Sequence, residues 1–99
     1  MAYETVIAGG RIVTGGAVVA ADIAITGGQI AAIGQGFDGA TRIDATGLIV
    51  TPGGVDAHCH IEQMSGMGLM NADTFETATR SAAMGGTTSI ISFAAQARG

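Results

Sequence analysis

Val50-Thr51-Pro52-Gly53-Gly54-Val55-Asp56-Ala57-His58-Cys59-His60 closes a series of short apolar segments and opens a different pattern. Val55 to His60 reads as a β-strand, in which side-chain alternation puts His58 and His60 on one face and Cys59 on the other. Same-face residues on a strand lie roughly 6.6 Å apart along its axis, a gap that two leaning imidazoles can close onto one ion. Neutral imidazole nitrogen is a good ligand for zinc and other borderline metals, but a four-coordinate site needs more than two ligands. Spacing alone leaves two readings open: half a metal site, or two histidines hydrogen-bonded or solvated without metal.

Downstream, residues 62–72 form a loop rich in Gly and Met, and Asp73 to Met84 reads as a helix. Asp73 followed by Glu76 is an aspartate variant of the capping box. Phe75, Ala78 and Ala82 mark a narrow apolar face, and Gly85-Gly86 can supply a left-handed C-cap. Thr87 to Phe93 is β-branched and apolar, as a strand covered on both faces would be. Strand, helix and strand in this order predict a βαβ unit with parallel strands. The histidines then fall at the C-terminal end of its first strand, the edge where parallel α/β architectures place chemistry.

Upstream, Thr5 to Ala8, Arg11 to Thr14, Val18 to Thr26, Gln29 to Ile33, Thr41 to Ala45 and Leu48 to Val50 are strand candidates bounded by turn residues. Ile23 and Ile25 alternate with Asp22, Ala24 and Thr26, and Gly27-Gly28 sits where a two-residue hairpin needs positive φ. The expectation is a small antiparallel sheet or half-sandwich, with a further turn at Asp44-Ala45-Thr46-Gly47.

Composition narrows the function. The net charge is -4, and the basic residues, Arg11, Arg42, Arg80 and Arg98, form no stripe, which argues against a nucleic-acid partner. No apolar run approaches the roughly 18 residues of a membrane span, and the N-terminus lacks the basic start of a signal peptide. One cysteine forms no internal disulfide, which fits a reducing cytoplasm; Cys59 reads as an apolar filler. Gly34-Gln35-Gly36-Phe37-Asp38-Gly39 matches G-x-G-x-x-G, but Ala40-Thr41-Arg42-Ile43-Asp44 reads as loop and strand instead of the helix a dinucleotide site requires. A cupin barrel also uses His-x-His, but Glu62 comes too soon after the pair and the helix is out of place. Glu62 falls on the histidine face if the strand continues, where it would orient a ligand or water, or stand solvated where the strand frays.

The Pro-Gly-x-x-Asp-x-His-x-His run at residues 52–60 resembles the signature of the amidohydrolase superfamily. Ile43-Asp44-Ala45-Thr46-Gly47, Ala72-Asp73-Thr74-Phe75-Glu76-Thr77-Ala78-Thr79, Gly85-Gly86-Thr87-Thr88 and Gln96-Ala97-Arg98-Gly99 are similar to its hydantoinase and dihydropyrimidinase branch. Allantoinases carry a related layout. The resemblance implies a mixed fold: residues 1–52 as the N-terminal part of a small β-sandwich, and residues 53–99 as the first βαβ unit of an incomplete (β/α)8 TIM barrel. It implies that His58 and His60 ligate the more buried of two divalent metals, usually zinc. Ring amides of hydantoins or dihydropyrimidines would then be opened by metal-activated water. Asp56 becomes a supporting group behind the ligands. Met64, Met67, Leu69 and Met70 lie on the loop that, by position, lines the pocket for the substrate's ring substituent, and suggest a bulky apolar one. A homotetrameric, cytoplasmic enzyme is the family expectation.

That centre also needs a carboxylated lysine, two further histidines and an aspartate base. The chain has no lysine, and its two histidines are already used. No catalytic base is therefore expected in these 99 residues, which should be inactive alone and complemented by the remainder of a barrel that takes about 250 residues. Two competing expectations are a noncatalytic scaffold on the same fold and a free-standing β protein whose histidines bind one metal or nothing.

Overall fold

The computed structural model describes residues 2–96 and 98; Met1 and, in the closing Gln96–Gly99 stretch, Ala97 and Gly99 lie outside the described residues. The chain divides into two compact units, Met1–Pro52 and Gly53–Gly99.

The first unit is a five-stranded sheet of β1 (Ala2–Thr14), β2 (Ala17–Thr26), β3 (Gln29–Gly34), β4 (Asp38–Asp44) and β5 (Ile49–Val50). The spatial order is β3-β2-β1-β4, with β5 also paired to β1. Gly27 and Gly28 have φ of 60° and 73°, the left-handed pair that the β2–β3 hairpin requires. The expected antiparallel sheet is corrected to a mixed one: β4 and β5 both run parallel to β1. Turn chemistry marks where a strand stops but does not say which edge the next strand joins, and here the chain returns to the far flank of β1.

The two segments expected at Thr5 to Ala8 and Arg11 to Thr14 are one strand. Gly9-Gly10 does not end it; pairing with β2 slips between Ile7 and Gly10 and then resumes. Gly9 holds φ of 77° and donates its N–H to Asp22 Oδ1 at 2.8 Å. A side chain there would be strained by its φ and would meet Thr46 Oγ1 at 2.8 Å. Val6, Ala8, Ile12, Ile23, Ala24 and Ala45 form the buried core of this unit. Ala24 is fully buried, so the outer face assigned to it by alternation is covered. The Asp44–Gly47 turn forms as expected: Thr46 N–H donates to Asp44 Oδ1 at 2.9 Å, and Gly47 has φ of 78°.

The second unit is β6 (Gly54–Cys59), α1 (Phe75–Met84) and β7 (Thr87–Ser92), with β6 and β7 parallel. The helix starts two residues later than the sequence pattern predicts, and its capping box is Thr74 with Thr77. Thr74 Oγ1 accepts the Thr77 N–H at 3.2 Å, and Thr77 Oγ1 accepts the Thr74 N–H at 3.0 Å. Asp73 and Glu76 are engaged otherwise: Asp73 Oδ1 accepts the Thr77 hydroxyl at 2.8 Å, and Glu76 pairs with Arg80 at 2.8 Å. At the other end Gly86, with φ of 92°, takes the left-handed conformation, whereas the C-cap Gly85 does not. Ala78 and Ala82 are half-buried, while Phe75 on the same expected face is exposed. Within this unit Ile61 is the buried apolar residue.

Candidate metal centre

The pairing of β6 with β7 is irregular where the histidines begin. Asp56 is opposite Ile90 and Cys59 opposite Ser92, so three steps on β6 match two on β7. In this step the His58 N–H donates to Asp56 Oδ1 at 3.0 Å, the carboxylate standing in for a ladder carbonyl. The ladder then resumes, Phe93 N–H donating to Cys59 O at 2.9 Å. The strand ends at Cys59, one residue earlier than expected, and His60 lies just beyond it.

His58 Nε2 and His60 Nε2 are 3.4 Å apart. Two nitrogens bound at about 2.0–2.1 Å to one tetrahedral zinc stand about 3.3 Å apart, so the pair fits two adjacent vertices of such a site. His60 Nδ1 lies 2.9 Å from Gln63 Oε1, while its Nε2 faces His58. Among the described residues no group of three or more His, Cys, Asp or Glu side chains forms a complete cluster.

Phe93 is a neighbour that sequence reading placed only at a strand end. Its ring stacks on His60 with centroids 4.4 Å apart and planes at 10°, and meets His58 at 4.7 Å and 52°. Its relevance depends on the level at which β7 ends beside β6. Cys59 is half-buried, with its thiol 3.6 Å from Ile91 O.

Glu62 lies beyond the strand end and is exposed, as expected where the strand frays, but its carboxylate also has a backbone partner. It adopts φ of 50°, and its Oε2 accepts the Phe75 N–H at 3.1 Å, tying the end of β6 to the start of α1. The loop beyond it is a closed hairpin. Gln63 N–H donates to Asn71 Oδ1 at 2.7 Å, Asn71 N–H to Gln63 O at 3.0 Å, and Met64 bridges Met70. Ser65 Oγ accepts from the N–H groups of Met67 and Leu69 at 3.3 and 3.2 Å. Met64 lines a cavity of about 150 Å³ with His60, Gln63, Ser65 and Asn71. Met67, Leu69 and Met70 are exposed and do not line it.

Comparison with known proteins extends these observations. The chain is 45% identical to the D-hydantoinase of Streptomyces coelicolor, in an alignment covering all of this chain and 22% of that protein. It is 48% identical to the D-hydantoinase of Rhizobium radiobacter, over 97% of this chain and 21% of the relative. An allantoinase of Salmonella choleraesuis is 44% identical over 92% of this chain and 20% of its own length. Among solved structures, a D-hydantoinase superposes with a TM-score of 0.90 at 44% identity, covering 97% of this chain and 21% of its own. An N-acyl-D-glutamate deacylase from Bordetella bronchiseptica, complexed with zinc and a phosphonate inhibitor, superposes at 0.73 with 29% identity, over 93% of this chain and 19% of its own. No protein-family model matches. The chain spans about a fifth of the length of the curated relatives it matches.

A mostly β segment that leads into a βαβ unit with paired imidazoles at its strand end aligns along its length with proteins of the amidohydrolase superfamily. Within that superfamily its homologues are D-hydantoinases and allantoinases, and the fold matches the N-terminal part of hydantoinase structures.

Proposed function

We propose that the chain is the N-terminal part of a metal-dependent cyclic amidohydrolase that opens the ring amide of hydantoins or dihydropyrimidines. The observation that carries this reading is the 3.4 Å approach of the two imidazole Nε2 atoms in a chain 45–48% identical to D-hydantoinases. In this reading residues 1–52 belong to a small β-sandwich, and β6-α1-β7 is the first βαβ unit of a (β/α)8 barrel. His58 and His60 hold a divalent ion, zinc being the metal their nitrogen donors and spacing suit. When bound, a pair of such ions supplies Lewis acidity toward the scissile carbonyl and activates water for attack.

The chain's own residues then hold this half of the centre in place. Asp56 fixes the backbone of His58, and Phe93 packs its ring against both imidazoles. A lysine, two more histidines and an aspartate base would come from residues outside these 99, in the same or a companion polypeptide. Exposure of Val55, Ile91, Phe75 and Met84 supports such a complement, since unpaired parallel strands and a bare helix face need cover. The complete protein would work in the cytoplasm as a homotetramer. Met64, beside His60 in one cavity, would meet the substrate's ring substituent, with Met67, Leu69 and Met70 at the entrance.

The 44% identity to an allantoinase gives a second reading. Allantoin carries a polar ureido substituent, and the apolar loop favours a hydantoin with an apolar one. The test is ring opening by the intact protein of a 5-aryl hydantoin, dihydrouracil and allantoin, before and after chelation and zinc restoration. The expected outcome is preference for the aryl hydantoin, at least about 10²-fold loss on metal removal, and recovery with zinc. Full activity in protein shown to be metal-free would overturn the metal-dependent reading; preference for allantoin would transfer it to the second.

A further inference from the structure

Gln63 has no part in the amidohydrolase signature, yet its side chain makes the one hydrogen bond that selects between the two nitrogens of His60. Gln63 Oε1 lies 2.9 Å from Nδ1, while Nε2 faces His58. A carbonyl oxygen accepts and cannot donate, so this contact holds the proton on Nδ1, against the preference of a free neutral imidazole for protonation at Nε2. Gln63 is itself held at both backbone polar groups by one residue: its N–H donates to Asn71 Oδ1 at 2.7 Å, and its carbonyl accepts from Asn71 N–H at 3.0 Å. His60, Gln63 and Asn71 line the same cavity with Met64 and Ser65.

We propose that Gln63 is a positioning residue that fixes the tautomer and direction of His60, and that Asn71 makes the 63–71 hairpin and this metal ligand one mechanical unit. The inference rests on the metal reading above for its consequence, but the tautomer it assigns exists without metal. A ligand whose other ring nitrogen is tied is pre-aimed and more basic, and loss of such a partner costs about 10- to 100-fold in metal affinity. His58 has no corresponding partner at its other ring nitrogen among the described hydrogen bonds, so the pair is asymmetric.

The experiment uses the intact protein, labelled for ¹⁵N-resolved imidazole NMR without metal, together with zinc affinity by chelator competition. Gln63→Met keeps length and removes the acceptor; Gln63→Glu keeps an acceptor. The parent and Gln63→Glu should show His60 protonated at Nδ1, and Gln63→Met should shift His60 toward Nε2 protonation and weaken zinc binding about 10- to 100-fold. A Gln63→Met protein with the parent's tautomer and affinity overturns the proposal, as does a Gln63→Glu protein that loses both as Gln63→Met does. A parent that binds no zinc overturns the metal reading instead, while its His60 tautomer still decides the role of Gln63.

Discussion

Each histidine has a different short-range partner: the backbone N–H of His58 donates to Asp56 Oδ1, and the ring Nδ1 of His60 lies 2.9 Å from Gln63 Oε1. The pairing of His58 with His60 was legible because a strand has period two. Phe93 was not, because a contact across parallel strands depends on where their ends fall, and the irregular step at Asp56–Cys59 sets that level. Glu62 follows the second of its two expectations, since its left-handed φ lies beyond the end of the strand that the first required. Away from the site, Asp44 is the residue whose protonation reports on folding. The Thr46 hydroxyl, then the Thr46 N–H, and lastly the Arg42 charge hold its carboxyl below the usual carboxylate value. A depressed folded-state pKa gives stability that is complete above the unfolded value, near about pH 4, and is lost as pH falls through the folded one. Asp44→Asn should therefore lower stability at neutral pH and flatten its acid limb, read from urea midpoints between about pH 2 and 6. An unchanged acid limb would show that the Asp44 turn contributes nothing to it.

The helix illustrates how a local motif can be seen in the right place with the wrong partners. Asp73, Thr74, Glu76 and Thr77 offer overlapping capping boxes, and the sequence does not say which pair closes. The i, i+4 partner Arg80 draws Glu76 away, and the Thr77 hydroxyl serves both Asp73 and Thr74. Removing the Thr74 hydroxyl takes away one side of the reciprocal pair. Thr74→Ala should cost about 1 kcal/mol, and Thr74→Asn should restore most of it, measured by denaturant unfolding. Equal losses in both variants would place the cap elsewhere. In the sheet, strand positions followed from β-branched runs and glycine punctuation, whereas the parallel union of β4 and β5 with β1 needed topology that no local pattern encodes.

At the scale of the molecule, much apolar surface faces outward. Ile30, Ile33, Leu48 and Ile49 in the first unit and Val55, Phe75 and Ile91 in the second are all exposed. Buried residues are few, so internal packing supplies limited stability and bound ligands count for more. For a metal that binds only the folded state, a hundredfold excess over its dissociation constant adds about 2.7 kcal/mol. The melting temperature of the intact protein should rise with zinc, and His58→Ala should abolish the rise. A rise that survives this substitution would locate the stabilising ion away from the pair.

The ring of Phe93 carries one more consequence. Circulating π-electrons shield nuclei held over an aromatic face, and His60 lies parallel to that face while His58 is tilted against it. These are the chain's two histidines, so their carbon-bound ring protons, two on each ring, form two sets of signals displaced upfield by different amounts. The separation between those signals is a magnetic ruler for the pocket: it stays fixed while the three rings keep their places and collapses when Phe93 moves away.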